Sequence, residues 1–337
     1  MPKDETVLIT GANGEIGHGL IEHLHTGRRA RIIATDIQPL DSDLKPMCQT
    51  FLQGDITDPD LIGQLGQSPF TTIFHLASIL STKGERDPEL AHHVNVDGTL
   101  HLLQLAAEQS RREGRPVRFI YPSSIAVYGL PDPETKARHG RVVREGEWCS
   151  PATMYGVNKL TCEHLGRYYA LHYRSLEPAT TRIDFRALRF PGLISALTVP
   201  TGGTSDYGPE MLHHAAQGKP YACFVRPDSQ LPFMVMPDAI KALLLLEAAP
   251  RENLHQLVYN VTSYSPTAAE ILQMILRSFP SAQLTFAPDE RRQAIVDSWP
   301  ADIDDSAARR DWLWKPEYDF RRSFEEYLSP SVHQRYA

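Results

Sequence analysis

Cysteine is scarce in this chain of 337 residues: Cys48, Cys149, Cys162 and Cys223 are the only four, and no two form a CxxC pair. They are too few and too scattered for a disulfide framework or a thiolate metal site. Long apolar runs are missing as well, and nothing approaches the roughly 20 residues a membrane span requires. The amino end, MPKDETVLIT, leads directly into a strand-like segment without the charged-then-apolar pattern of a secretory leader. These absences predict a cytoplasmic protein with reduced thiols. There is no HExxH, and the neighbouring pairs His92-His93 and His213-His214 point apart on a helix, so no metal site is expected. The GxSxG elbow of serine hydrolases and the GxxxxGK[ST] loop of nucleoside triphosphatases are also absent. Positive charge is in deficit, with 34 Lys and Arg against 41 Asp and Glu and a net charge of −7, which argues against non-specific nucleic-acid binding. No internal repeat or low-complexity tract is visible.

What is present is a regular alternation. With 42% apolar residues, a sizeable core is expected. Short β-branched runs at 7–10, 31–36, 72–77 and 117–121 read as buried parallel strands. Between them lie helical patterns. One opens at Asp58-Pro59, and another runs from about Pro88 to Arg111 with Leu90, Val94, Leu100, Leu103 and Ala107 at helical spacing. Such β–α alternation predicts right-handed crossovers and a doubly wound α/β fold. The second half differs, with Pro/Gly clusters at 191–192 and 200–203. It also has a capping box at Thr267–Glu270 ahead of an apolar face of Ile271, Leu272, Ile275 and Leu276. The polar stretch from Leu130 to Cys149 reads as a surface loop with a short helix at most.

Directly after the first strand stands TGANGEIG at 10–17, a GxxGxxG spacing that opens a helix. Glycines there let a pyrophosphate approach the helix amino terminus, where unpaired N–H groups and the helix dipole favour negative charge. A tight turn alone would explain the glycines equally well. The position between a strand and a helix favours the phosphate cradle. Asp36 ends the second strand and can accept hydrogen bonds from ribose hydroxyls while repelling a 2′-phosphate, which favours NAD over NADP. Arg28, Arg29 and Arg31 precede that strand end. Asp55 and Ile56, after the third strand, are placed to flank the adenine.

YPSSIAVYG at 121–129 puts serines at the end of a strand, where parallel sheets bind ligands. MYGVNK at 154–159 then puts Tyr155 and Lys159 one turn apart on one helix face. Free tyrosine titrates near 10, too high for a base at neutral pH. An adjacent ammonium and a cationic nicotinamide ring are expected to lower it, yielding a base that removes a hydroxyl proton as hydride leaves the same carbon.

With these motifs the chain resembles the extended short-chain dehydrogenase/reductase superfamily over nearly its whole length. The matching residues are TGANGEIG at 10–17, Asp36, HLA at 75–77, NVDGT at 95–99, SSIAVYG at 123–129, YGVNK at 155–159 and RFPGLIS at 189–195. The resemblance implies a Rossmann-type doubly wound parallel sheet with a smaller mixed α/β C-terminal substrate domain. Residues 1–188 and about 233–262 would bind NAD, and about 189–232 and 263–337 the substrate. It implies that Gly11, Asn13, Gly14, Glu15, Ile16 and Gly17 cradle NAD, together with Leu76, Ala77 and Ser78. In the superfamily the catalytic serine stands four places before the tyrosine of the YG pair, which selects Ser124 over Ser123. Asn95 would help hold the active-site helix, Lys159 would also bind the nicotinamide ribose, and Pro191, Gly192 and Leu193 would approach the nicotinamide.

Four further stretches are similar to the short-chain type of L-threonine 3-dehydrogenase: HLASILSTKGE at 75–85, PTGGTSDYG at 200–208, PDSQLPFMVMPDA at 227–239 and DSWPADIDDSAARRDWLWK at 297–315. That family oxidises the 3-hydroxyl of L-threonine to 2-amino-3-ketobutyrate with NAD and without metal. On this reading Ser124 and Tyr155 hold the alcohol, and Ser81, Thr204, Ser205 and Asp206 receive the carboxylate and ammonium. Ser81 can equally be a local loop cap, and 204–206 a helix N-cap cluster. Trp299 reads as core or as a pocket wall. Serine at 124 is shared with sugar-modifying relatives, where many threonine dehydrogenases have threonine. Two alternatives therefore stand beside the dehydrogenase: a nucleotide-sugar epimerase or dehydratase, and a non-catalytic NAD-sensing protein. The resemblance also implies a homodimer through the helices after Pro88 and after Thr153, with Leu160, Leu165, Tyr168 and Leu171 facing the partner or the core.

Overall fold

The computed structural model describes residues 5–27, 30–139, 142–177, 181–200 and 203–337. Arg28, Arg29, residues 140–141 of the polar stretch and residues 201–202 of the 200–208 stretch lie outside the described residues. In chain order the first half holds β1 (Thr6–Thr10), α1 (Glu15–Gly27), β2 (Arg31–Asp36), β3 (Thr50–Gln53), α2 (Pro59–Leu65) and β4 (Thr72–His75). Then come α3 (Ser81–Arg86), α4 (Pro88–His92), a π turn (His93–Asp97), α5 (Gly98–Glu113), β5 (Arg118–Ser124), α6 (Pro133–His139) and α7 (Met154–Leu171). The remainder holds β6 (Asp184–Phe190), β7 (Gly192–Ile194), α8 (Tyr207–Ala216), β8 (Tyr221–Cys223), β9 (Phe233–Val235) and α9 (Met236–Ala248). It continues with β10 (Val258–Asn260), α10 (Ala268–Ser278), β11 (Leu284–Phe286), α11 (Glu290–Ser298) and short helices to Tyr336.

Seven strands form one sheet in the order β10-β6-β5-β4-β1-β2-β3. β1 runs parallel to β2 and β4, β2 to β3, and β4 to β5. From β1 the chain builds outward to β3, then returns to the other side of β1 with β4. This reversal opens a crevice beyond the carboxyl ends of β1 and β4, the place where doubly wound sheets take ligands. The architecture is a Rossmann-type α/β fold. Its buried core joins Leu8, Ile33, Ile73, Phe119 and Phe185 of the strands to Leu102, Leu103 and Ala106 of α5 and Cys162 and Tyr169 of α7.

The chain divides into two compact units. Met1–Ser123, Val157–Leu188 and Leu243–Val258 form the first, and Ser124–Gly156, Arg189–Ala242 and Tyr259–Ala337 the second. Residues 124–156, 233–242 and 259–262, grouped with the dinucleotide part by the sequence, thus cluster with the second unit. Within it, β7 pairs with β9 and β8 with β11, both parallel.

Local chemistry places most elements where the pattern puts them. Asp58 accepts from the Asp60 N–H and Pro59 occupies the first turn of α2, as the Asp-Pro pair predicts. Thr267 and Glu270 form the capping box of α10. Its buried face is Ala268, Ile271, Met274 and Ile275, whereas Leu272 and Leu276 are only half-buried. The helix expected from Pro88 to Arg111 is interrupted by the π turn at 93–97. The 130–149 stretch is less of a surface loop than its polarity suggests. Leu130 and Val143 are buried, and Val143 bridges Ile303.

Candidate active site

The amino end of α1 is built around backbone. Gly11 has φ +66°, a left-handed conformation that costs glycine nothing, and a Cβ there would sit 2.6 Å from the Ala77 nitrogen. At Gly17 a Cβ would lie 2.3 Å from the Ala12 oxygen. Side chains are thus excluded where the β1–α1 turn meets the crevice, and the backbone-lined cradle fits a pyrophosphate at a helix amino terminus. Asn13, Gly14, Glu15 and Ile16 complete this turn and start α1. Asp36 anchors it: Oδ2 accepts the Asn13 N–H at 2.9 Å and Oδ1 the Gln38 N–H at 2.9 Å. A carboxylate has about four lone-pair sites, so both oxygens keep acceptor capacity toward a ribose. Asp55 Oδ1 closes its own turn by accepting the Thr57 N–H and hydroxyl, and Ile56 is buried.

Beyond β4, the loop Leu76–Ile79 is held from two sides. The Leu76 N–H donates to the Thr10 oxygen at 3.1 Å. Asn95, on the π turn, accepts the Ile79 N–H at 2.7 Å and the Ser78 hydroxyl at 3.2 Å, and donates to the Ile79 oxygen at 3.0 Å. Its side chain therefore holds this loop. The contact with the active-site helix is made by its backbone oxygen, which accepts the Cys162 thiol of α7. His75 bridges the two sides. Nδ1 lies 2.8 Å from the Thr10 hydroxyl and Nε2 lies 2.9 Å from that of Thr99. Because Thr99 itself donates to the Asn95 oxygen, Nε2 carries the proton and Nδ1 accepts from Thr10. Burial, aided by the nearby Lys159 charge, holds His75 down to about 3, so the ring is neutral.

At the carboxyl end of β5 the two serines part ways. Ser123 is buried and donates to Glu163 Oε1 at 2.5 Å. The Ser124 Oγ accepts the Ala126 N–H and shares a hydrogen bond with Tyr155, so Ser124 is the serine paired with the phenol. Lys159, one turn further along α7, is buried in the first unit. It donates to the Pro122 oxygen at 2.7 Å and lies 4.6 Å from the Tyr121 ring centroid. Burial pulls its amine down to about 8, against the opposing pull of Cys162 and Glu163. The expected lowering of the Tyr155 phenol does not hold. Burial pushes it up to about 12, and the Ser124 hydrogen bond offsets this only in part. Desolvation of a phenolate outweighs a single hydroxyl donor.

In the second unit, Pro191 and Gly192 are buried and Leu193 half-buried at the turn into β7. A Cβ on Gly192 would lie 3.1 Å from the Cβ of Ser205, so Gly192 and the 204–206 stretch adjoin. Thr204 is buried. Asp206 precedes α8, but its side chain does not cap the helix; it turns back to accept the Gly203 N–H at 2.6 Å. The N-cap reading of this cluster thus fails for Asp206. Ser81 lies buried in the first unit as the opening residue of α3, with Leu80 in the cap position, so it is not the helix cap. Trp299 is buried core. The sequence assigned no role to His75, Thr99, Glu163 or Tyr207. Glu163 follows Lys159 at the same four-residue spacing that drew attention to Tyr155. Tyr207 is fully buried beside Phe233, and its hydroxyl has no hydrogen-bond partner among the described residues.

Residues 7–262 match the NAD dependent epimerase/dehydratase family. A mitochondrial L-threonine 3-dehydrogenase of Bos taurus is 35% identical over 322 residues, covering 94% of this chain and 79% of its own length. A GalE-like L-threonine dehydrogenase from Cupriavidus necator, solved in its holo form, superposes with a TM-score of 0.83 at 35% identity, covering 96% of this chain and 99% of that one. The crystal structure of L-threonine dehydrogenase from Phytophthora infestans gives a TM-score of 0.83 at 35% identity, covering 97% and 98%.

Proposed function

The chain belongs to the NAD-dependent epimerase/dehydratase family and is an NAD-dependent dehydrogenase, and from that premise we propose that it oxidises the 3-hydroxyl of L-threonine to 2-amino-3-ketobutyrate. The observation that carries this reading is the hydrogen bond between Ser124 and Tyr155 in the second unit. It pairs a hydroxyl that can orient a substrate alcohol with a phenol that can take its proton. Bound NAD would supply the acceptor for the hydride that leaves the alcohol carbon. Tyr155 receives the proton, and Ser124 holds the oxygen as it becomes a carbonyl. Since burial drives the phenol up, the site needs positive charge to reach the phenolate near neutral pH. Lys159, one helical turn away on α7, supplies part of it, and the oxidised ring the rest. In the second unit, Thr204 and Ser205 bind the carboxylate or the amine, and Asp206 offers negative charge to the ammonium; Ser81 of the first unit is a further candidate for substrate contact. Asp36 takes the adenosine ribose, which favours NAD over NADP. Support for threonine comes from the relative and the two solved structures that carry that substrate in their names.

The test is direct. Protein, NAD and L-threonine together generate the absorbance of reduced nicotinamide, and Tyr155→Phe lowers turnover by about 10²–10⁴-fold while still binding NAD. No signal from neutral to alkaline pH defeats the substrate assignment. Ser124 and the family's epimerase and dehydratase members favour a second reading, action on a nucleotide sugar. A nucleotide sugar that binds tightly, where threonine does not bind, selects it. We also infer that two copies pair through α7, where Val157, Tyr168 and Leu171 are 40%, 47% and 40% exposed.

A further inference from the structure

The buried face of α7 carries more polar groups than its fold requires. Asn158 meets His92, Lys159 the Pro122 oxygen, Cys162 the Asn95 oxygen and Glu163 the Ser123 hydroxyl. Three of these four groups have a neutral side chain or a required cation. Glu163 is different: a carboxylate 3% exposed costs several kcal/mol unless it is compensated. Its partners include two that compensate it. One is the Ser123 O–H. The other is the charge of Lys159, one turn earlier on the same helix, with which it interacts electrostatically. The remaining titratable groups facing Lys159 from neighbouring elements of its unit are His75 of β4, Tyr121 of β5 and Cys162 of α7. His75 is held neutral, and burial pushes the Cys162 thiol up, so it too stays protonated. Of the groups that pull on the lysine, Glu163 is the one that also grips the strand. The same carboxylate grips β5 one residue before Ser124. Lys159 grips it one residue earlier still, at Pro122, so helix and strand are fastened at adjacent positions.

We propose that Glu163 is a positioning residue of the dehydrogenase reaction: its buried carboxylate keeps Lys159 charged and clamps the end of β5, the strand that runs on into Ser124. The inference deepens the reading of Tyr155 as the base and rests on it.

The experiment compares wild type, Glu163→Gln and Glu163→Asp as full-length, NAD-loaded protein. Glutamine keeps the volume and an oxygen that accepts from Ser123, so only the charge is removed. In Glu163→Gln, Lys159 loses its proton at lower pH and Tyr155 ionises at higher pH. The bell-shaped profile of kcat/KM therefore narrows from both sides, and turnover at neutral pH falls by about tenfold for each unit of displacement. KM for NAD stays within about twofold, because the carboxylate does not touch the dinucleotide cradle. Glu163→Asp restores the charge and brings both limbs back toward wild type. Tyrosinate absorbance of the NAD-loaded proteins, with Tyr155→Phe as the blank, gives the same ordering without any substrate. A uniform loss of rate with unmoved limbs, or an aspartate variant no nearer wild type than glutamine, overturns the proposal while Tyr155→Phe remains inactive. Full turnover by Tyr155→Phe overturns the base assignment and this inference together.

Discussion

A phenol near 12 and an amine near 8 form a poor acid–base pair until a cation joins them. On the proposed reading, in which Tyr155 is the base, the reaction is conditional on the bound dinucleotide at the scale of single residues. The motifs singled out Ser124, Tyr155 and Lys159 as candidates, because spacing along one strand and one helix is a property of sequence. The sign of the Tyr155 shift was not legible, since desolvation depends on what surrounds the hydroxyl. His75 and Glu163 escaped for a similar reason: their partners Thr10, Thr99 and Ser123 come from distant segments. Asp36 offers a residue-scale test. Asp36→Ala lowers NAD affinity by about tenfold, the worth of one charge-assisted hydrogen bond, and lowers NADP affinity less. Titration with both dinucleotides measures the ratio. An equal loss for the two means that the carboxylate only anchors the Asn13 N–H.

At the scale of elements, strand positions followed from apolar runs and helix starts from caps, as in β2, α2 and α10. What periodicity could not show was the π turn. Over five residues a wider turn differs too little from the 3.6-residue repeat to leave a mark in the pattern, yet such turns concentrate at functional sites. Here the widened turn carries Asn95 toward the Ser78–Ile79 loop. Nor could local sequence reveal Arg186 of β6, buried and donating to the Leu246, Glu247 and Ala249 oxygens that end α9. Such pairings join residues far apart in the chain. The prediction at this scale concerns the latch. Asn95→Ala leaves part-buried backbone groups of Ile79 unpaired, at a cost of about 1–3 kcal/mol at most. Hydrogen exchange at 76–79 should speed up and NAD affinity should fall with it. Unchanged exchange there would show that the loop holds itself.

At the scale of the whole molecule, Val157, Tyr168 and Leu171 leave apolar surface along α7. Light scattering at micromolar concentration should give twice the mass of 37.9 kDa, and Tyr168→Glu with Leu171→Glu should return the monomer. A monomer already in the wild type removes the pairing. The doubly wound α/β class was readable from β–α alternation. The division of the chain was not, because it depends on which segments touch. That division passes between Ser123 and Ser124 and again between Gly156 and Val157, then recurs at 188–189, 242–243 and 258–259. Neither unit is one continuous stretch of gene. A single recombination crossover therefore cannot trade one unit for a relative's.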